Sequence, residues 1–293
     1  MARRFLPLFA GLLALLVMAP RPALAWSELA RRAVADLAYG RLTPAAQRAV
    51  GDIITQALAT PKANEAGCVV RSFPDAAALP VCMQELDLGR YDKATRWRTD
   101  PIPLCGEADK TSYCAKGQCG SEALRRALAT LTDPTADAGT RLIALAQVSD
   151  LVTNLHQPLN VTDNKDREGS RIRVTLPGAP KARLNLHEVW DDQFVATAVG
   201  SEDVGLGYLA PLIAANGDNW ARGDIDNWVD ETHRLAVAFV YPRLPQPPMC
   251  GKTPDGVQAL DRAYISAATP VVRQQLAKAA VRLAVVLNER LGR

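Results

Sequence analysis

The segment Arg141–Val161 carries two side-chain stripes with the period of an α-helix. Leucine and valine side chains recur at steps of three and four residues, which is typical of a helix with a buried apolar face. Gln147, Asp150 and Asn154 follow the same spacing on another face. Polar side chains at this spacing can converge on one ligand, although most polar stripes are exposed to solvent. The segment therefore predicts a helix whose second face is either solvated or part of a site.

Residues 1–25 have the pattern of a secretory signal peptide. Arg3 and Arg4 precede an apolar run that ends near Met18 and is too short to span a bilayer. The tripeptide Ala23-Leu24-Ala25 fits the small-residue rule for a cleavage site. We therefore predict one mature domain, 26–293, that is periplasmic or secreted and has no membrane segment after cleavage.

The formal net charge of +3 lies in the signal segment, which contains three arginines and no acidic residue. The mature chain is therefore formally neutral. Domains that bind nucleic acid are usually clearly basic. Net charge thus gives no support for such a partner, although a local basic pocket stays open as an alternative.

Six cysteines in an exported chain predict up to three disulfides, but their number alone leaves the connectivity open. Cys114 and Cys119 are the best supported pair, because the short loop between them contains a glycine and can bring its ends together. A zinc site built from thiolates is disfavoured, since the chain has no paired C-x-x-C spacing.

Helical periodicity dominates the mature chain. Thr43-Pro44 places a capping side chain before a proline at the first helical position, so a helix is predicted to begin there. The segment 61–120 is rich in Pro, Gly and Cys and is predicted to be mostly irregular. Residues 171–176 alternate like a strand, and Pro177-Gly178 turns it. The fold class predicted is all-α, with a small β-hairpin and disulfide-stapled loops. Further helices are expected within 27–58, at 121–131 and 138–155, from about 185, and at 226–240 and 270–291.

Two longer motifs and several short ones resemble one enzyme family. Residues 150–160 read Asp-Leu-Val-Thr-Asn-Leu-His-Gln-Pro-Leu-Asn, and residues 185–191 read Asn-Leu-His-Glu-Val-Trp-Asp. They resemble the zinc-dependent, single-strand-specific nucleases of the S-one/P-one type, relatives of zinc phospholipase C. Weaker matches extend the resemblance over nearly the whole mature chain. It implies a mostly helical fold, with hydrolysis of phosphodiesters in single-stranded DNA or RNA and of nucleotide 3′-phosphates.

The resemblance also implies a zinc centre, and most of its ligand positions are substituted here. The family holds its zinc ions with the amino-terminal Trp and with Asp and His side chains. This chain keeps Trp26, Asp75, His187 and Asp191, and by the same resemblance Asp75 would orient the attacking water. The positions where the family has other His and Asp ligands read Arg31, Arg98, Asp150, Asn154 and Asn160.

A guanidinium is a fixed cation without a lone pair, so neither Arg31 nor Arg98 can bind zinc. The carboxylates Asp75, Asp150 and Asp191 would repel one another if buried together, and guanidinium groups can pair with them bidentately. We therefore expect fewer than three zinc ions, down to none, and a hydrolytic activity that is weakened or lost. The alternative is a non-catalytic protein with the same fold that binds phosphate or another anion, or has a structural role.

Other assignments follow from the same motifs. The resemblance implies single-stranded nucleic acid or a nucleotide as partner and leaves the oligomeric state open. His187-Glu188 also resembles a metalloprotease H-E-x-x-H motif without its second histidine, but the flanking Asn185, Leu186 and Asp191 fit the nuclease pattern better. His156 lies outside the implied ligand set and is expected to be a buried, hydrogen-bonding side chain, while His233 is expected to be an ordinary helix residue.

Overall fold

The computed structural model describes residues 26–59, 67–85 and 97–292. The predicted signal peptide lies outside these ranges. Within them, no helix combines the length and the apolar character that a membrane span requires.

Helices form most of the described chain, which confirms the predicted all-α class. In order they are α1 (Glu28–Tyr39), α2 (Pro44–Leu58), α3 (Phe73–Glu85), α4 (Lys110–Tyr113), α5 (Gly120–Leu131), α6 (Ala138–Asn154), α7 (Leu186–Glu188), α8 (Phe194–Val199), α9 (Glu202–Trp220), α10 (Ile225–Leu235) and α11 (Arg262–Leu291). Two π turns, Val189–Gln193 and Ala236–Val240, follow α7 and α10, and 3₁₀ turns occupy Ala115–Gly117 and Pro158–Val161.

Side-chain caps determine where several helices begin. Helix α2 starts as predicted, because the Thr43 hydroxyl accepts from the backbone N–H of Ala46 and Pro44 needs no partner at the first position. Asp137 accepts from the backbone N–H of Thr140 at 2.9 Å and caps α6 in the same way. These caps satisfy N–H groups that no preceding helical turn can bind.

A three-stranded sheet contains the predicted hairpin. Strands β1 (Arg173–Leu176) and β2 (Ala179–Asn185) pair antiparallel, and Gly178 supplies the positive φ of the turn between them. Strand β3 (Gln258–Ala259) adds to the free edge of β1 in parallel. It was not predicted, because two residues are too few for an alternating pattern. Strand β2 runs directly into α7, the short helix that contains His187.

Helix α3 lies within 61–120, the segment expected to be mostly irregular, and was not predicted. Its apolar residues occupy nearly every position from Phe73 to Val81, so they show no helical period, and Pro80 lies inside it. Residues 60–66 and 86–96 of that segment lie outside the described ranges. A second difference concerns Pro270, which lies within α11 instead of at its start.

Helix α6 is the central element of the core. It packs against α1, α2, α3, α5 and α11, and its residues from Val148 to Asn154 are all buried. The hydroxyls of Ser149 and Thr153 donate to carbonyls four residues earlier in the same helix, so they need no outside partner. The polar stripe at Asp150 and Asn154 therefore faces the protein interior and must find its partners there.

All six cysteines form disulfides: Cys68–Cys82, Cys105–Cys250 and Cys114–Cys119. The predicted Cys114–Cys119 pair is confirmed. Cys68–Cys82 ties the segment before α3 to that helix, and Cys105–Cys250 joins the loop before α4 to the loop before β3.

We predict that the bridges stabilise the fold unequally. Cys105–Cys250 joins residues 145 apart and Cys114–Cys119 joins residues 5 apart. Because loop closure restricts the unfolded chain more for a longer loop, replacing the first pair by serines should cost about 5 kcal/mol and the second about 2 kcal/mol. Urea unfolding of the two double variants measures this. Equal losses would contradict the loop-length explanation.

Candidate functional site

The buried guanidinium of Arg31 lies where three predicted ligand positions converge. Arg31 is in the first turns of α1 and forms an ion pair with Asp150 of α6, and both side chains are fully buried. Its Nη2 donates to Asn154 Oδ1 at 3.2 Å, and its Nε donates to the carbonyl of Trp26 at 3.1 Å. All three nitrogens of the guanidinium therefore bind residues at predicted ligand positions.

Asp150 is shared by two arginines. Arg98 Nη2 lies 2.6 Å from Asp150 Oδ1, the same oxygen that binds Arg31, and Asn154 Nδ2 donates to Oδ2 at 3.2 Å. Both oxygens of this carboxylate are thus engaged by protein donors. The expectation that the two arginines pair with carboxylates holds for Asp150.

Asp191 forms a second, adjacent group of contacts. Its Oδ1 accepts from the backbone N–H of Trp26 at 3.2 Å and from Gln157 Nε2 at 2.9 Å. Its Oδ2 lies 3.1 Å from His187 Nε2, close enough for an ion pair but without the alignment of a hydrogen bond. Trp26 therefore contacts both groups, through its carbonyl to Arg31 and through its amide to Asp191.

The start of α7 fixes the orientation of His187. Asn185 and Glu188 form a reciprocal capping box, with bonds of 2.9 and 3.0 Å between each side chain and the other residue's backbone N–H. His187 Nδ1 lies 2.7 Å from the carbonyl oxygen of Glu168. The following π turn contains Asp191, and such turns are frequent at functional sites.

The electrostatics of this group favour a charged His187. Burial lowers the pKa of His187, but the carboxylate of Asp191 and the Glu168 carbonyl outweigh it and raise that pKa to about 9. The partners that raise this pKa also hold the ring between the Glu168 carbonyl and Asp191.

Asn160 keeps one unsatisfied acceptor. Its Nδ2 donates to the carbonyl of Asn154 at 3.1 Å, whereas its Oδ1 is buried and has no hydrogen-bond partner among the described residues. A cation could use this unsatisfied oxygen as one ligand. It is a neutral amide oxygen at a position where the resemblance implies a histidine.

Asp75 has a different set of partners. Arg32 Nη1 lies 2.8 Å from Asp75 Oδ1, and Oδ2 accepts from the backbone N–H groups of Arg71 and Ser72 and from the Ser72 hydroxyl. Burial raises the pKa of Asp75, but these donors outweigh it and hold the pKa below its usual value. The described contacts of Asp75 stabilise the first turn of α3 and connect that helix to α1. They do not test the predicted role of Asp75 in orienting water.

The residues present do not fit a zinc cluster. Within the described ranges, no group of three or more His, Cys, Asp or Glu side chains is arranged to hold a metal ion. Asp150 is saturated by guanidinium and amide donors. Among the described residues, the predicted site at His187 and Asp191 is the one that keeps two charge-appropriate ligands, and His187 Nε2 and Asp191 Oδ2 lie 3.1 Å apart.

Several important contacts were not predicted. Gln157 belongs to a motif that was recognised, yet its contact with Asp191 joins the turn after α6 to the π turn 34 residues later in the chain. His156 Nδ1 lies 2.7 Å from the Val152 carbonyl, and its Nε2 lies 3.0 Å from Arg282 Nη1 on α11, which confirms the expected buried, hydrogen-bonding role. No sequence signal connects residues so far apart, so only the tertiary structure identifies these pairs.

Comparisons with known proteins point to the same family as the motifs. The family model described as S1/P1 Nuclease matches residues 26–292. Endonuclease 2 of Arabidopsis thaliana is 30% identical over 156 residues, which are 51% of this chain and 52% of that protein. Endonuclease 1 of the same plant is 28% identical over 151 residues, 50% of this chain and 48% of the relative. The chain thus spans about half the length of the curated relatives it matches.

We predict that Arg31 contributes far more to stability than its neighbour Arg32. Replacing Arg31 by methionine leaves Asp150 buried with less compensation and should cost about 3–5 kcal/mol. Arg32 pairs with Glu28 and Asp75 at a partly exposed position, so Arg32→Met should cost no more than about 1 kcal/mol. Urea unfolding of the two variants measures the difference. Similar losses would show that Arg31 does not neutralise a buried charge.

We also predict a pH dependence of stability that arises from His156. Burial, together with the Arg282 guanidinium, lowers the pKa of His156 to about 3, whereas an unfolded histidine titrates near about 6.5. Its contribution is therefore complete above about pH 6.5 and declines by about 1.4 kcal/mol per pH unit as the pH falls toward about 3, because the unfolded chain takes up the proton first.

The matched variant for this test is His156→Gln, which has no titrating group at that position. Unfolding free energies measured at pH 7, 6, 5 and 4 should fall more steeply for the natural protein than for the variant. Parallel curves would contradict the assignment of a neutral, buried His156.

Proposed function

The chain belongs to the S1/P1 nuclease family, and we propose that it is an exported member whose hydrolytic activity is weakened or lost. The lineage activity is metal-dependent endonucleolytic hydrolysis of single-stranded DNA or RNA, together with removal of nucleotide 3′-phosphates. One observation carries the proposal: the Arg31 guanidinium binds Asp150, Asn154 and the Trp26 carbonyl, which stand at metal-ligand positions.

The charge balance supports the proposal that arginine side chains replace the metal ions structurally. Arg31 and Arg98 are permanent cations that pair with Asp150, and the pKa of His187 beside Asp191 is raised. A metal ion in a hydrolase also activates water and polarises the phosphate. A guanidinium stabilises negative charge but does not generate hydroxide from bound water. The fold would therefore keep its buried carboxylates neutralised while losing the activation of water that hydrolysis requires.

The burial of the residues around Arg31 and Asp191 also supports the proposal that hydrolysis is weakened or lost. Asp150, Asn154 and Asn160 are fully buried, and His187 and Asp191 are at most 3% exposed. Arg98 is the most accessible of the charged side chains around Asp150, at 14%. Because a phosphodiester has to reach the residues that cleave it, a sealed centre opposes catalysis. It also means that Arg31 is unsuited to bind an anion from solution.

Export is supported by the signal-like segment and by the disulfide pairing of all six cysteines. We place the mature protein in the periplasm or outside the cell. Cleavage after Ala25 would convert the nitrogen of Trp26 into an ammonium group 3.2 Å from Asp191 Oδ1. The resulting charge-assisted bond would add a further cation to the centre.

The partner that we propose is single-stranded nucleic acid or a nucleotide, bound without efficient cleavage. Zinc content should be below three ions per chain, because five of the nine implied ligand positions are substituted and the site at His187 and Asp191 alone keeps two charge-appropriate ligands. A purely structural role is the alternative, and it would leave the protein without affinity for either ligand.

The test uses the mature protein, 26–293, with a fluorescently labelled single-stranded oligonucleotide, in the presence of zinc and in the presence of a chelator. We expect no chelator-sensitive cleavage and fewer than three zinc ions by elemental analysis. Chelator-sensitive cleavage together with three tightly held zinc ions would overturn the proposal.

A gain-of-function variant sharpens this test. It combines Arg31→His, Arg98→His, Asp150→His, Asn154→Asp and Asn160→His, which together with the retained residues completes the implied ligand set. We predict that it binds zinc and acquires some chelator-sensitive nuclease activity. The matched control adds Asp191→Asn to the same five changes and should lose that gain. Equal zinc content in the two variants would show that the ligand positions are wrongly assigned.

A further inference from the structure

A concave pocket lies beside the sealed centre without including any of its residues. Its volume is about 450 Å³, within the usual range for small-molecule sites. It adjoins the centre because Trp97 precedes Arg98 in the chain and Gln147 lies one turn before Asp150 on α6. The residues that line it are Trp97, Lys116, Gly117, Gln118, Ala123, Arg126, Ala127, Thr130 and Gln147.

Two rigid elements form the walls. Ala123, Arg126, Ala127 and Thr130 lie three and four residues apart on α5 and therefore share one face of that helix. The loop closed by Cys114–Cys119 forms a second wall, to which Lys116, Gly117 and Gln118 contribute. Its shape is thus maintained by a helix and a disulfide.

The lining carries positive charge and contains no acidic side chain. Among the described residues, neither Lys116 nor Arg126 forms an ion pair, while Arg126 Nη1 donates to the Gly117 carbonyl at 2.9 Å. The nearby Glu122 is bound by Lys110 and Arg125. Two cations thus face one cavity without local neutralisation, in a chain whose mature form has no net charge.

The backbone at Lys116 is unusual for a lysine. Its φ of 57° lies in the left-handed region, which costs energy for a residue with a side chain. Asn or Gly would adopt this conformation more easily. Lys116 lines the pocket beside Gly117, whose carbonyl accepts from Arg126.

We propose that this pocket binds a mononucleotide, with Lys116 and Arg126 on the phosphate and the indole of Trp97 against the base. Lysine and arginine are the usual side chains for phosphate recognition. Aromatic rings stack with any base because every base presents a π face. Ala123 and Ala127 leave space for a flat ring, and the amides of Gln118 and Gln147 can bind base edges. This inference locates the binding activity proposed above, but it does not require that hydrolysis is lost.

The experiment titrates the mature protein with thymidine 5′-monophosphate and, separately, with inorganic phosphate and with thymidine, by calorimetry. The mononucleotide contains no phosphodiester, so residual nuclease activity does not affect the result. We expect the mononucleotide to bind more tightly than either fragment. No detectable binding at millimolar concentration, or equal affinity for mononucleotide and phosphate, would overturn the proposal.

Variants locate the site. Lys116→Asn and Arg126→Gln should each weaken mononucleotide binding by about tenfold, since each removes a charge-assisted contact. Trp97→Leu should weaken binding of the mononucleotide but not of phosphate. The matched control is Arg125→Gln, which removes a cation from the neighbouring position of α5 that is paired with Glu122 and Asp226 and does not line the pocket. Equal losses of affinity in the Arg125 and Arg126 variants would show that binding depends only on the overall charge of the protein, and would overturn the proposed site.

Discussion

The ion pair between Arg31 and Asp150 is the interaction on which the rest of this structure depends. It joins α1 to α6 in the interior, where an isolated charge of either sign would be strongly unfavourable. Helix α6 packs on five other helices, and α1 packs on α3, α8, α9 and α11 as well as on α6. Removing the pair therefore disturbs the contact between the central helix and a helix that contacts four others. The additional bonds to Asn154 and to the Trp26 carbonyl make the geometry of the pair well defined.

A side-chain cation differs from a metal ion in ways that separate structure from chemistry. It is covalently attached, so the fold does not depend on an ion in the surroundings, and its charge does not change with pH in the physiological range. It offers no open coordination position for water or phosphate. The second half of the centre follows the same logic, since Asp191 is bound by His187, Gln157 and the backbone of Trp26. Under the proposal that arginines replace the ions, these contacts would let the family scaffold persist without a metal.

The sequence was most informative where local chemistry decides the structure. Thr43-Pro44 identified the start of α2, and Pro177-Gly178 identified the hairpin turn. It failed at α3, where apolar residues at nearly every position conceal the helical period. It could suggest that arginines replace ions, but not that Arg31 and Arg98 share Asp150 while Asp75 pairs with Arg32. Arg31 and Arg32 are adjacent in α1, and the sequence does not distinguish them. The packing of α1 on α6 and α3 determines that Arg31 pairs with Asp150 and Arg32 with Asp75.

The dependence of folding stability on bound metal tests the central claim most directly. The measurement is the free energy of unfolding of the purified mature protein in urea, before and after exhaustive treatment with a chelator, and again after zinc is added back. If Arg31 and Arg98 supply the charge that the ions supply elsewhere in the family, the three values agree within experimental error. A marked loss of stability on chelation that zinc restores would contradict the account, because it would mean that an ion still holds the centre together.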